Sequence, residues 1–153
     1  MTSETPSIRP ATADDREGWA TLYRGYRDFY ELDRDDAVID RVWQWIQDES
    51  SGFDAFVAES DGGLVGLANY RRFLRPSRGT FGIFLDDLFT APDSRGRGVG
   101  RAFLRELSTL AENEGASVVR WITSEGNASA RSLYDAVATP IPFVTYDLTP
   151  GSL

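Results

Sequence analysis

Apolar positions recur along this chain at two periods, and the changes of period divide it. Trp19, Leu22, Tyr23, Tyr26 and Tyr30 are spaced by three and four, which puts them on one face of a helix. Thr12, with Asp15 three residues later, echoes a capping box and marks where that helix should begin. Before it, Ser7-Ile8-Arg9-Pro10 reads as a short strand. Ile39, Val42, Trp43 and Ile46 predict a second helix that ends before Ser50-Ser51-Gly52. From Phe53 the pattern changes to short apolar runs over 53–59, 64–73 and 80–90. Asp61-Gly62-Gly63 and Pro76-Ser77-Arg78-Gly79 separate them, so the stretch reads as an antiparallel three-stranded meander. Residues 91–97 read as a loop. Helical spacing returns at Val99, Phe103, Leu107 and Leu110 and stops at Gly115. Residues 118–123 read as a strand, Asn127 as the cap of a helix carrying Ala130, Leu133, Tyr134 and Val137, and 143–148 as a final strand. The order predicts an α/β fold with a mixed, mostly antiparallel sheet and about four helices.

At 153 residues, with 41% apolar content, the chain suits a single domain, 1–153, around one core. No run approaches the roughly 18 apolar residues of a membrane span, and the polar start Met1-Thr2-Ser3-Glu4 lacks the regions of a signal peptide. A cytoplasmic protein without a membrane partner is therefore expected. Cysteine and histidine are absent, which removes disulfides, Cys/His zinc sites, thiol nucleophiles and imidazole triads. No metal is expected, and the chemistry falls to carboxylates, hydroxyls, arginines and backbone groups. All 16 basic residues are arginine, and the net charge of −8 argues against a nucleic-acid partner. A cationic partner suits that charge, although acidity also serves solubility alone. Arg71, Arg72, Arg75 and Arg78 are expected to form a solvated face.

The strongest local signal is Arg95-Gly96-Arg97-Gly98-Val99-Gly100, between a predicted strand and the start of a predicted helix. Glycines there permit conformations and close approach that side chains block. The first-turn amides of the helix, with the positive end of its dipole behind them, suit a phosphate or pyrophosphate, and Arg95, Arg97 and Arg101 add charge. A P-loop is excluded because the chain has no lysine. A dinucleotide-binding unit would carry the motif after its first strand, not after a meander. An arginine-rich loop without a ligand remains the plain alternative.

This loop resembles the acetyl-CoA loop of the GNAT N-acetyltransferases: Arg or Gln, two residues, Gly, one residue, then Gly or Ala. Leu85-Asp86-Asp87-Leu88-Phe89-Thr90-Ala91-Pro92 is similar to the family's fourth strand and its approach loop. Asn127-Ala128-Ser129-Ala130-Arg131-Ser132-Leu133-Tyr134 is similar to its asparagine, alanine and Leu-Tyr signature. The family's usual Gly-Phe is replaced by Asp135-Ala136-Val137-Ala138-Thr139. That run resembles the yeast histone, polyamine and D-amino-acid acetyltransferase subgroup. The resemblance covers roughly residues 80 to 148. The shortened C-terminus leaves a homodimer through this end open.

The resemblance implies acetyl-CoA as co-substrate in a splayed sheet. Backbone groups of Leu88 and Thr90, beside Phe89, would pair with the pantetheine arm, and the Leu88 amide would polarise the thioester carbonyl. The cofactor set is completed by Arg95, Gly96, Arg97, Gly98, Val99, Gly100, Arg101, Asn127 and Ala130. Asn127 also has a purely structural role open to it as an N-cap. Tyr134, seven residues on and on the same helical face, could protonate the departing thiolate, or could be a core tyrosine. Asp86 and Asp87 are unusual in a strand, and one should face the substrate, hold an ammonium and accept its proton; the alternative is one solvated carboxylate and one structural partner for an arginine. A bulge, expected by analogy with the family, could turn both to the cleft. Tyr26, Phe29, Tyr30 and Glu31 would line the acceptor side by the same analogy, where aromatic faces suit a cation; the alternative is simple core. The implied activity is direct acetyl transfer to a primary amine of a small molecule, a polyamine, diamine or amino acid. A protein N-terminal or lysine acetyltransferase and a non-catalytic acyl-CoA sensor are the other readings.

Overall fold

The computed structural model describes residues 5–153, so the polar start at residues 1–4 lies outside the described residues. The chain forms two compact units, Met1–Ile122 and Thr123–Leu153. In the first, strand β1 (Ser7–Pro10) leads through a short 3₁₀ turn into helices α1 (Arg16–Phe29) and α2 (Asp36–Gln47). The meander follows as β2 (Phe53–Ser60), β3 (Gly63–Arg75) and β4 (Thr80–Thr90), then helix α3 (Val99–Glu114) and strand β5 (Val119–Arg120). The sheet order is β1-β2-β3-β4-β5, antiparallel throughout except for the parallel pairing of β4 with β5. This is the expected mixed, mostly antiparallel α/β architecture.

The Thr12/Asp15 signal does more than start a helix. The Asp15 carboxylate accepts from the Thr12 amide at 2.7 Å and also receives both Nη groups of Arg9, at 2.7 and 2.9 Å. It thereby ties β1 to the entry of α1 and is held below the usual carboxylate range, at about 2, chiefly by the Arg9 hydrogen bonds. The stripe read from periodicity is the core face. Trp19, Leu22 and Tyr23 of α1 and Ile39, Val42, Trp43 and Ile46 of α2 pack with Ala55, Val57, Leu67 and Phe89 of the sheet. Trp19 is fully buried, a contribution of about 3 kcal/mol. Val99, Phe103 and Leu107 of α3 are buried as well. A Cβ on Gly66 of β3 would stand 3.0 Å from Phe103 and 3.2 Å from Val99, so a bare backbone there lets α3 approach the sheet.

The arginines expected on a solvated face are partly structural. Arg72 bonds Glu114 at 2.6 Å and Asp54 at 2.9 Å, linking β3 to the end of α3 and to β2, and Arg71 pairs with Asp86. The reason is the length of β3: it runs on to Arg75, so the pleat carries these arginines over the sheet instead of into a loop.

In the second unit, α4 (Ala128–Val137) is capped as expected, Asn127 Oδ1 accepting from the Ala130 amide at 3.4 Å. The strand expected at 143–148 is not formed among the described residues, and the one expected at 118–123 shrinks to Val119–Arg120. Both departures follow from pairing, which composition does not specify: a strand exists only where a neighbour supplies its hydrogen bonds. Pro140 and Pro142 also remove two amide donors just ahead of 143.

Candidate active site

The decisive local feature of β4 is one extra residue. Asn69 of β3 lies opposite Asp87 while Tyr70 lies opposite Leu85, so Asp86 is bulged out of the ladder. The bulge cancels the alternation that would send two adjacent side chains to opposite faces. Asp87 accepts from the Tyr23 hydroxyl and from Asn69 Nδ2, each at 2.9 Å, and Asp86 lies 3.4 Å from Arg71 Nε. Asn69 and Arg71 are two apart on β3 and therefore share a face, so both carboxylates stand on the α1 side of the sheet.

Their environments differ. The hydroxyl of Tyr26 is also turned to Asp87, and fully buried Asn69 accepts from Trp19 Nε1 at 3.0 Å, extending the network into the core. Burial and then the negative charge of Asp87 hold the Tyr23 and Tyr26 phenols protonated, far above their ordinary range. Asp86 Oδ2, by contrast, is buried with no hydrogen-bond donor, since the Arg71 contact has ion-pair distance without hydrogen-bond geometry. Burial raises this carboxyl to about 6, against the opposing pull of Arg71 and with a further push from Asp87. A carboxylate titrating there is suited to take a proton near neutral pH.

Beyond Phe84 no strand among the described residues pairs with the outer edge of β4, because β5 meets only Ile83 and Phe84. The Ala91 amide bonds Val65 O at 2.8 Å, so by alternation the amides of Phe89 and Asp87 face β3 while those of Leu88 and Thr90 face the open edge. The strand then enters a turn in which Gly96 and Gly98 both have φ of 78°, a left-handed region that favours glycine, with open space where a side chain would stand. Gly98 precedes α3. The first helical hydrogen bond in that turn runs from Ala102 N to Gly98 O at 3.0 Å, so the amides of Val99, Gly100 and Arg101 have no helical acceptor. These groups fit a pantetheine arm along the strand edge and a pyrophosphate at the helix start. Arg95, expected beside the phosphates, donates from Nε to Thr90 O at 3.2 Å, its guanidinium 5.4 Å from the Phe29 ring and 5.6 Å from that of Phe89.

Of the residues expected on the acceptor side, Tyr26 packs edge-on to Phe89 at 6.4 Å and lies 4.7 Å from Tyr30, and Phe29 is exposed. Glu31 closes α1 in the left-handed region, φ 55°, with its amide on Asp28 O and that of Leu32 on Arg27 O. A cavity of about 390 Å³ opens between α1 and α2, lined by Arg24, Arg27, Asp28, Arg34, Asp35, Asp36 and Ile39. It does not include the β4 carboxylates, and four of its charges are paired internally, Arg24 to Asp36 at 3.0 Å and Arg34 to Asp28 at 3.5 Å. Among the described residues no cluster of His, Cys, Asp or Glu could hold a metal, and no helix is long and apolar enough to cross a membrane. In the second unit, Asn127 and Tyr134 lie on α4, Tyr134 O accepting from the Ala138 amide at 2.9 Å. Sequence reasoning missed Tyr23, Asn69 and Arg71. Asn69 had a signal, a polar residue inside the apolar run Gly66-Leu67-Ala68-Asn69-Tyr70.

The sequence profile of the Acetyltransferase (GNAT) family matches residues 19–137. The chain belongs to that family. It is an acyltransferase enzyme, an N-acetyltransferase of GNAT type. It is 26% identical over 149 residues to the D-amino-acid N-acetyltransferase HPA3 of Saccharomyces cerevisiae, covering 95% of this chain and 92% of the relative. It is 30% identical to the phosphinothricin N-acetyltransferase of Alcaligenes faecalis over 139 residues, 85% of this chain and 68% of the relative. The GNAT fold is also that of the aminoglycoside N-acetyltransferase AAC(6')-Iy solved in complex with CoA. The TM-score is 0.80 at 20% identity, covering 98% of this chain and 97% of that one.

Proposed function

We propose that this GNAT enzyme transfers the acetyl group of acetyl-CoA directly to a primary amine of a small molecule, with Asp86 as the proton acceptor. The observation that carries the reading is the β4 bulge. It presents a buried, donor-free carboxylate oxygen on a strand whose outer edge, at Leu88 and Thr90, is open and leads into the glycine turn. The relatives named for D-amino acids and phosphinothricin, and the structural neighbour solved with CoA, support a small acceptor and this donor.

Acetyl-CoA supplies the electrophilic carbonyl carbon and a thiolate leaving group. The amides of Val99, Gly100 and Arg101 hold the pyrophosphate, and the backbone of Leu88 and Thr90 holds the pantetheine arm. The Leu88 amide donates to the carbonyl oxygen as negative charge develops there. Asp86 binds the arriving ammonium and takes one proton from it, passing that proton to solvent. The free amine nitrogen then bonds to the acetyl carbon, the C–S bond breaks, and the amine's second proton ends on sulfur. The family resemblance assigns the proton on sulfur to the Tyr134 hydroxyl, replaced in turn by the amine's proton, and the pantetheine contact to Asn127. Asp87, held by Tyr23, Tyr26 and Asn69, fixes the bulge and is a positioning residue in this scheme.

The test is thiol release from acetyl-CoA against a panel of polyamines, diamines, amino acids and peptides with free N-termini. Turnover with small amines above hydrolysis supports the reading. Turnover of peptides alone moves the activity to protein acceptors, and binding of acetyl-CoA without turnover of any amine makes the chain a sensor.

A further inference from the structure

The Asp86–Arg71 pair is unlike the fixed ion pairs of this molecule. Arg9 with Asp15 and Arg72 with Glu114 close to 2.7 and 2.6 Å with hydrogen bonds. Asp86 and Arg71 stop at 3.4 Å, and the buried Oδ2 receives no hydrogen bond. Each partner is held back by something else. The bulge fixes Asp86, and the guanidinium of Arg71 lies over the Phe84 ring, 4.7 Å from its centroid. Arg71 is half-exposed while Asp86 is mostly covered, so the cation faces the approaching acceptor and the anion stands behind it on the same face.

A carboxylate and a guanidinium side by side with unmet hydrogen-bonding capacity are the complement of a zwitterion whose ammonium and carboxylate are one carbon apart. We propose that the acceptor is an α-amino acid, its ammonium held by Asp86 and its carboxylate by Arg71. The exchange replaces one ion pair lacking hydrogen bonds by two charge-assisted, hydrogen-bonded ones, and the guanidinium fork suits a planar carboxylate. A polyamine in the same place would set a second cation beside Arg71 and be repelled. This inference rests on the amine acetylation proposed above and names its acceptor.

The experiment compares kcat/KM for D- and L-methionine, phenylalanine and lysine with the amines left when each loses its carboxylate, using the wild-type chain, Arg71→Leu and Arg71→Lys. We expect the wild-type chain to favour amino acid over the matching amine by at least tenfold. Arg71→Leu should collapse that ratio toward one, and Arg71→Lys should restore part of it, with acetyl-CoA affinity reporting that the variants are folded. Equal turnover of both classes by the wild-type chain, or an unchanged ratio in Arg71→Leu, overturns the carboxylate assignment while leaving amine acetylation intact. Absence of turnover with every acceptor overturns the proposed function itself.

Discussion

Asp87 accepts hydrogen bonds at 2.9 Å from Tyr23 and Asn69, whereas the buried Oδ2 of Asp86 accepts none. Neighbours in sequence thus differ in environment, and in the proposed scheme they divide into a positioning residue and a proton acceptor. The raised pKa of Asp86 has a consequence for stability as well as rate. Its folded value, about 6, lies above the unfolded value of about 4, so its contribution is fully present below pH 4 and is lost as pH rises through 6. Asp86→Asn, which mimics the protonated form, should be more stable than the wild type at pH 8 by about 1–2 kcal/mol. It should match the wild type below pH 4, as read by denaturant unfolding at both values. The same variant should lose about 10²-fold or more in kcat. It should also lose the inflection near pH 6 in kcat/KM for the acceptor, keeping only the acceptor amine's own ionisation. An inflection that survives in Asp86→Asn would assign it to another group.

At the scale of elements, periodicity found both helices of the core face, the meander and α3, because each buries a stripe that the sequence has to encode. The glycine turn was legible for a related reason. Gly96 and Gly98 sit at φ 78°, a conformation that leaves a residue-type signature. The bulge at Asp86 was expected only by family analogy. The partners of the two carboxylates were not legible at all, since they come from other elements, Asn69 and Arg71 meeting β4 through strand register and Tyr23 through the packing of α1 on the sheet. The missing strand at 143–148 failed for the complementary reason, its pairing being a property of a neighbour. The turn also yields a test. Acetyl-CoA at 100 times its Kd should stabilise the wild type by about 2.7 kcal/mol, a rise in Tm of about 5–10 °C. Gly98→Asp should abolish that rise by placing charge and a Cβ against the pyrophosphate. Gly98→Ala carries the same backbone strain of about 1–2 kcal/mol without the charge, so it should start from a similarly lowered Tm and keep part of the shift. An equal ligand shift in wild type and Gly98→Asp would remove the turn from the cofactor site.

Taken whole, the chain restricts the kind of transferase it can be. Its 153 residues contain no cysteine and no histidine, and all 16 cationic side chains are arginine, so no thiolate, imidazole or lysine amine exists to carry an acetyl group between donor and acceptor. A serine, threonine or tyrosine relay would need an adjacent base, and the carboxylate best placed for that, Asp86, faces Arg71 and not a hydroxyl. Asp87 does meet a hydroxyl, that of Tyr23, but burial and the Asp87 charge hold that phenol in its protonated, non-nucleophilic form. Direct transfer within a ternary complex follows as the expected route. Initial rates at varied acetyl-CoA and acceptor should therefore give intersecting double-reciprocal lines. The intact protein incubated with acetyl-CoA alone should gain no acetyl mass that a later addition of acceptor removes. Parallel lines together with a chaseable acetyl adduct would establish a covalent intermediate, and would shift the catalytic assignment from Asp86 as proton acceptor for the amine to a hydroxyl nucleophile that the bulged strand does not provide.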